Sequence, residues 1–236
     1  MNIEKTFTEA GGTFCVPYAS FSEKLANVKA FIFDWDGVFN DGYKDHQASS
    51  NFSEVDAMGT NLLRFSRWIK RKSMPFTAIM SGEKNQLSFQ FTQREHFHQA
   101  YFKVVNKIHA FDHFVKLHSL KPEEVAFVFD DVLDLSIASV AGLRILVSRK
   151  SNPLFIKYAI DNKLADYVTA ASSGNFAVRE TCELIMGATG NYNQVVENRF
   201  KFSDDYRKYL EERQQIETGY FTWKDNVIQL GPGIGH

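Results

Sequence analysis

The run Phe31-Ile32-Phe33-Asp34-Trp35-Asp36-Gly37-Val38 constrains this chain more than any other segment. A hydrophobic strand ends in two carboxylates spaced i, i+2, and a glycine follows at once. Acids at the end of a buried strand carry a heavy desolvation cost unless a cation or a substrate uses them. A second apolar run, 125–129, ends in Asp130-Asp131-Val132-Leu133-Asp134. Together the two strand ends would hold a divalent cation beside a nucleophilic carboxylate, which is phosphoryl-transfer chemistry. A lone Asp-x-Asp is weak, because most are turns or solvated loop acids. Two such strand ends in one chain are a much stronger signal.

The rest of the chain alternates. Strands are expected at 29–33, 76–80, 100–104, 125–129, 143–147 and 167–169. Helices are expected at 56–70, 83–95, 107–117, 133–141, 153–162 and 177–186. The pattern predicts an α/β fold, a Rossmann-like three-layer sandwich whose central parallel sheet is covered by helices on both faces. In such folds catalytic groups gather beyond the carboxyl ends of the strands, where these acids lie. Residues 1–28 read as an N-terminal extension, 29–188 as the core, and 189–236 as an appended helix and tail. The polar stretch 42–52 reads as a loop or hairpin.

Composition excludes several classes. A net charge of -1 gives no general attraction to nucleic acid or anionic membrane. No apolar run approaches the roughly 18 residues of a membrane span. Residues 1–20 lack the basic start and apolar run of a signal peptide. Cys15 and Cys182 read as reduced thiols, so a cytoplasmic protein is expected. The 22 phenylalanines are expected in the core or at subunit contacts.

The chemistry follows from the acid pair. Asp34 as nucleophile would form an aspartyl phosphate and split hydrolysis into two easier steps. Gly37 lets the chain turn, so that Asp36 can act as general acid and base. Magnesium suits such a site, because it takes oxygen ligands and bridges carboxylate to phosphate. Asp34, Asp36 and Asp130 are the candidate ligands, supported by Asp131 and Asp134 directly or through water. Ser81 alone reads as a helix N-cap. Its place after the strand 76–80, with Gly82 next, favours a hydrogen bond to a phosphate oxygen. His96 and His98 lie two apart, and His109 and His113 have the i, i+4 spacing of a zinc pair. No cysteine or carboxylate pattern completes a zinc site, and surface histidines are the commoner outcome.

The order of these motifs resembles the haloacid dehalogenase superfamily of aspartate-nucleophile phosphatases. Within it, the chain is similar to the small capless octulosonate 8-phosphate phosphatase branch, over roughly residues 29–188. The branch has Asp-x-Asp-Gly-Val-x-Thr-Asp-Gly where this chain has Asp34-Trp35-Asp36-Gly37-Val38-Phe39-Asn40-Asp41-Gly42. Its Thr-Gly-Arg is here Ser81-Gly82-Glu83, its Asn-Lys is Asn106-Lys107, and its Gly-Asp-Asp-x-x-Asp is Phe129-Asp130-Asp131-Val132-Leu133-Asp134. Ala165-Asp166-Tyr167-Val168-Thr169 and Ala177-Val178-Arg179-Glu180 resemble its closing segments. The resemblance implies magnesium dependence, no large cap domain, and Lys107 as a catalytic and substrate-binding lysine, a residue that alone would read as a surface lysine. It implies a phosphorylated sugar acid of the octulosonate or nonulosonate kind as substrate. It also implies a homotetramer with a hairpin at 41–54 packed at its centre and a neighbouring subunit closing the site. Departures bear on the substrate. Asn40 replaces threonine, Val55 and Glu83 replace arginines, and Asp56-Ala57-Met58-Gly59 replaces Asp-Gly-Tyr-Gly. Phe129 replaces a glycine and is expected to reshape the metal site by its bulk. A receiver-like phosphoacceptor and a non-catalytic assembly module are the competing readings. Receivers place the phosphorylated aspartate on the third strand, which argues for the enzyme.

Overall fold

The computed structural model describes residues 2–47 and 49–233. Met1 of the N-terminal extension, Ala48 of the expected hairpin and residues 234–236 of the tail lie outside the described residues. The elements in chain order are α1 (Ile3–Glu9), β1 (Thr13–Phe14), α2 (Tyr18–Asn27), β2 (Ala30–Asp34), α3 (Glu54–Arg71), β3 (Phe76–Met80), α4 (Gln86–Arg94) and β4 (Gln99–Phe102). Then come α5 (Ile108–Leu117), β5 (Val125–Phe129), α6 (Leu135–Ala138), β6 (Leu143–Ser148), α7 (Pro153–Asp161), β7 (Tyr167–Ser172) and α8 (Ala177–Thr189). The chain closes with α9 (Tyr192–Phe200), α10 (Asp204–Gln214), β8 (Gly219–Lys224) and β9 (Val227–Leu230).

The strands form one sheet in the order β1-β7-β6-β5-β2-β3-β4-β8-β9. All pairings are parallel except those of β1 with β7 and of β8 with β9. The continuous apolar runs are explained by burial on both faces. In β2, Phe31 and Phe33 enter one core with α2, α3 and α8, while Ala30 and Ile32 enter the other with α5 and α6. In β5, Ala126 and Val128 take the first side, and Val125, Phe127 and Phe129 take the second. Each fully buried large side chain contributes about 1.5–3 kcal/mol. Helix α3 begins where the Ser53 hydroxyl accepts from the Val55 amide at 3.0 Å. Asp56 in its first turn accepts from the Arg179 amide at 2.8 Å, tying α3 to the start of α8. Burial pushes the Asp56 carboxyl up to about 6, against the pull of that amide and the Arg179 charge.

Three features differ from expectation. Residues 41–53 form neither strand nor helix among the described residues. The Asp45 carboxylate accepts from the Gln47 and Ser49 amides at 2.8 and 2.9 Å, and such local turns compete with a strand ladder. The expected hairpin is therefore a loop in this chain. Residues 189–236, expected as a helix and tail, supply α9, α10 and a true hairpin that lengthens the sheet, with β8 parallel to β4. Its turn places Asp225 and Asn226 at φ 53° and 62°, the paired left-handed conformation that Asp and Asn tolerate. The third feature is Phe129, whose ring stacks on Phe127 at 5.5 Å in the core on the α5 side. It lies outside the lining of the cavity described below.

Candidate active site

Chain order reverses at β2, which pairs with β3 on one side and β5 on the other. Such a switch point opens a crevice at the carboxyl ends of the strands. Register aligns the expected residues there. Asp34 pairs with Met80, so Ser81 follows at the same level. Phe33 pairs with Val128, so Asp130 stands just beyond Asp34. The crevice is a cavity of about 390 Å³, within the size range of small-molecule pockets. Asp34, Asp36, Ser81, Gly82, Lys107, Asp130, Asp131 and Asp134 all line it, so the expected set converges on one place.

Lys107, in the segment between β4 and α5, is only 4 % exposed. Its Nζ donates to Asp34 Oδ1 and to Asp134 Oδ1, each at 2.6 Å. Burial works against the ammonium, yet the two carboxylates win and raise its pKa above the ordinary lysine value. Asp34 is pushed up to about 7, first by burial and then by the Asp134 charge, with Lys107 opposing. Asp130 is pushed up to about 9 by burial and by the Asp34 and Asp134 charges, with Arg149 opposing. One oxygen from each of Asp34, Asp130 and Asp134 lies within 4.8 Å of the other two. Three buried carboxylates this close repel one another, with Lys107 and Arg149 as their two counter-charges. A hard divalent cation relieves that repulsion, and an all-oxygen donor set fits magnesium. No other such group of three occurs among the described residues.

The converging set differs from the expected ligands at one position. Asp134, expected in support, belongs to it. Asp36 is turned aside, with Lys44 Nζ at 2.5 Å and the Ser50 hydroxyl donating to the same oxygen. Asp131 is exposed and caps its own turn, accepting from the Val132 amide at 2.7 Å. Ser81 is buried, and its hydroxyl accepts from the Glu83 amide at 3.2 Å. Gly37 has φ +87°, and a Cβ there would collide with the Asp130 carboxylate and the Arg149 guanidinium. Both constraints demand glycine at this position.

The histidine pair at 109 and 113 serves packing. His109 stacks on Trp223 with centroids 4.3 Å apart, and His113 Nδ1 lies 2.8 Å from the Tyr101 hydroxyl.

Four polar residues at the site escaped the sequence reading: Lys44, Ser50, Asn85 and Arg149. Ser50 is buried, accepts from Trp35 Nε1 at 3.1 Å and Asn85 Nδ2 at 2.6 Å, and donates to Asp36. One hydroxyl thus fixes the loop 41–53 and holds the Asp36 carboxylate. Asn85 carries a readable signal, because its side chain caps α4 by accepting from the Leu87 and Ser88 amides. Ser50 carries none, since its partners are distant in sequence. Ser50→Ala leaves two buried donors unpaired, at about 1–3 kcal/mol each. A lowered melting temperature is expected, with a fall in kcat larger than any rise in KM. A variant with unchanged kcat would mean that Ser50 does not position Asp36.

No protein-family model matches the chain. The chain is 29% identical over 192 residues to the 3-deoxy-D-manno-octulosonate 8-phosphate phosphatase of Escherichia coli strain K12, a match covering 80% of this chain and 97% of that protein. The crystal structure of the Yersinia pestis protein of the same name aligns with TM-score 0.62 and 26% identity, covering 74% of this chain and 89% of the other. A structure from Moraxella catarrhalis, in complex with magnesium, phosphate and a KDO molecule, aligns with TM-score 0.63 over 75% of this chain and 97% of that one. At 24% identity the Moraxella likeness speaks to the fold. The chain resembles the phosphatases that its motif order pointed to.

Proposed function

We propose that this chain is a magnesium-dependent phosphomonoester hydrolase that works through an aspartyl phosphate on Asp34. Its substrate is a small phosphorylated sugar or 3-deoxy sugar acid of the octulosonate or nonulosonate type. The observation that carries this reading is the convergence of Asp34, Asp130 and Asp134 around buried Lys107. Its occurrence in a chain similar to nearly the whole length of a sugar-acid phosphatase supports the substrate class.

The residues divide the work as follows. Asp34, Asp130 and Asp134 are the oxygen donors that would hold magnesium, which supplies positive charge to a phosphate dianion. Asp34 Oδ attacks phosphorus, and the bond from phosphorus to the leaving oxygen breaks. Asp36 gives its proton to that oxygen, then takes one from the water that attacks the phosphorus of the aspartyl phosphate. The second displacement releases inorganic phosphate and restores both carboxyl groups. Lys107 holds Asp34 in place and offsets charge as it builds on the transferring group. The Ser81 hydroxyl and the Gly82 amide are the donors to phosphate oxygens.

A cytoplasmic homotetramer completes the reading. Tyr43 on the loop 41–53 is 81% exposed, which suits a loop that packs against a second copy. Val105 and Leu133 are exposed apolar residues lining the cavity, where a neighbouring subunit would cover them. No helix among the described residues is long and apolar enough to cross a membrane.

The test is inorganic phosphate release from a panel of sugar phosphates and phosphorylated 3-deoxy sugar acids. Release with magnesium, its loss on chelation and its return on adding the metal are expected. Full activity after chelation would remove the metal from the account. Release from no compound, by folded protein, would leave a phosphoacceptor or assembly role.

A further inference from the structure

The cavity is rich in acids for a site that must take an anion. Asp34, Asp36, Glu83, Asp130, Asp131 and Asp134 line it, and the cations of the lining are Lys107 and Arg149. Lys107 is committed, since Asp34 and Asp134 both draw on it at 2.6 Å. Arg149 is not. It follows the carboxyl end of β6, and its guanidinium lies against Gly37, where a side chain would displace it. One nitrogen, Nη2, donates to Asp130 Oδ2 and, at 3.4 Å, to the Ser173 hydroxyl. Ser173 is itself anchored by donating to the Asn40 carbonyl at 2.8 Å. Nε and Nη1 have no hydrogen-bond partner among the described residues. The head group is therefore held in place at one nitrogen with donors to spare. A guanidinium so held presents its spare Nε–H or Nη1–H groups to a carboxylate oxygen as a charge-assisted hydrogen bond.

We infer that Arg149 is a specificity-determining residue that binds the carboxylate of a phosphorylated sugar acid and selects it over a neutral sugar phosphate. The inference rests on the phosphatase reading above and deepens it. Phosphate is provided for by the Ser81 hydroxyl, the Gly82 amide and the cation that Asp34, Asp130 and Asp134 would hold. Arg149 lines the same cavity from the end of β6, on the side of β2 away from Ser81 and Lys107. A neutral hydroxymethyl group in place of the carboxylate forfeits a charge-assisted pair and leaves Arg149 facing the surrounding acids alone.

The experiment uses two ligands with the same carbon chain and phosphate. These are 6-phosphogluconate, which carries a carboxylate, and glucitol 6-phosphate, which carries a hydroxymethyl group there. Binding is measured by calorimetry with magnesium present in the full-length Asp34→Asn protein, which keeps the ligands intact. The acid is expected to bind at least about tenfold tighter, the value of one modest charge-assisted contact. Adding Arg149→Gln should bring the two affinities within about twofold of each other. Arg149→Lys, which keeps the charge but not the held, planar head group, should give an intermediate ratio and guards against a misfolded glutamine variant. Equal affinity for the two ligands in the parent, or binding of neither, would overturn the inference. So would an unchanged ratio in Arg149→Gln, even with both ligands weakened, because Arg149 would then only position Asp130. The readout is binding, so failure of the hydrolase reading shows separately, as wild-type protein that releases no phosphate.

Discussion

Asp34→Asn is expected to abolish phosphate release while leaving a folded and no less stable protein. An amide oxygen is a poor nucleophile, and loss of a covalent nucleophile costs about four orders of magnitude or more in kcat. The fold should tolerate the change for a stated reason. Asp34 is buried, and that burial, followed by the Asp134 charge, already raises its carboxyl to about 7 against the pull of Lys107. Removing that charge relieves the repulsion from Asp134 and Asp130, and Lys107 keeps Asp134 as a partner at 2.6 Å. Phosphate release would be followed alongside thermal unfolding. Loss of activity with an equal or higher melting temperature is the expected pair of results. Retained turnover would remove Asp34 as nucleophile. Loss of both activity and fold would mean that the carboxylate is structural.

Lys107→Met is expected to damage both function and stability. Its ammonium is the shared partner of two buried carboxylates, Asp34 and Asp134. Breaking a buried ion pair by removing one partner costs about 3–5 kcal/mol, because a desolvated charge is left behind. Asp34 can escape part of that cost by binding a proton, which gives the effect a pH signature. A folded-state acid pKa raised above the unfolded value costs stability as pH rises toward the folded value. With Lys107 present, Asp34 has completed that loss by about pH 7. Without the lysine its pKa rises further, so the variant goes on losing stability at higher pH. The stability gap from wild type should therefore widen above about pH 7. Urea unfolding at several pH values, without added metal, measures it. A gap that is constant or shrinks with rising pH would contradict the ion-pair geometry. Turnover should fall by about two to three orders of magnitude, as when a preorganised charge is removed from a transition state.

These effects depend on residues of unequal legibility. The strand 125–129 was readable because a strand buried on both faces needs an uninterrupted apolar run. Asp34 and Asp130 were readable because an acid at the end of such a run is too costly to be incidental. The spacing of Asp34 and Asp36 does not reveal which way each carboxylate turns. Asp36 leaves the cluster for Lys44 and Ser50, both on the loop 41–53. The polar content of that loop fits a loop or a hairpin, and only the resemblance implied the hairpin. Arg149 was invisible for a different reason. Its significance comes from Asp130, Gly37 and Ser173, which are brought to it only by the parallel sheet. The hairpin β8–β9 did leave a mark, Asp225-Asn226 between short β-prone segments. The charged helix and glycine-rich end on either side of it drew the reading toward an appended tail. The burden that Phe129 was expected to place on the metal site depended on its facing the cavity, whereas the alternation of β5 sends its ring into the core.

The central claim is that phosphate passes through a covalent bond to Asp34. The most direct test is to quench the protein with acid during turnover, reduce it with borohydride, and map the peptides by mass spectrometry. An aspartyl phosphate is reduced to homoserine, which marks the residue that carried the phosphoryl group. Homoserine at position 34, dependent on both substrate and magnesium, is the expected result. Homoserine at another aspartate, or none at any quench time in protein that is turning over, would contradict the account.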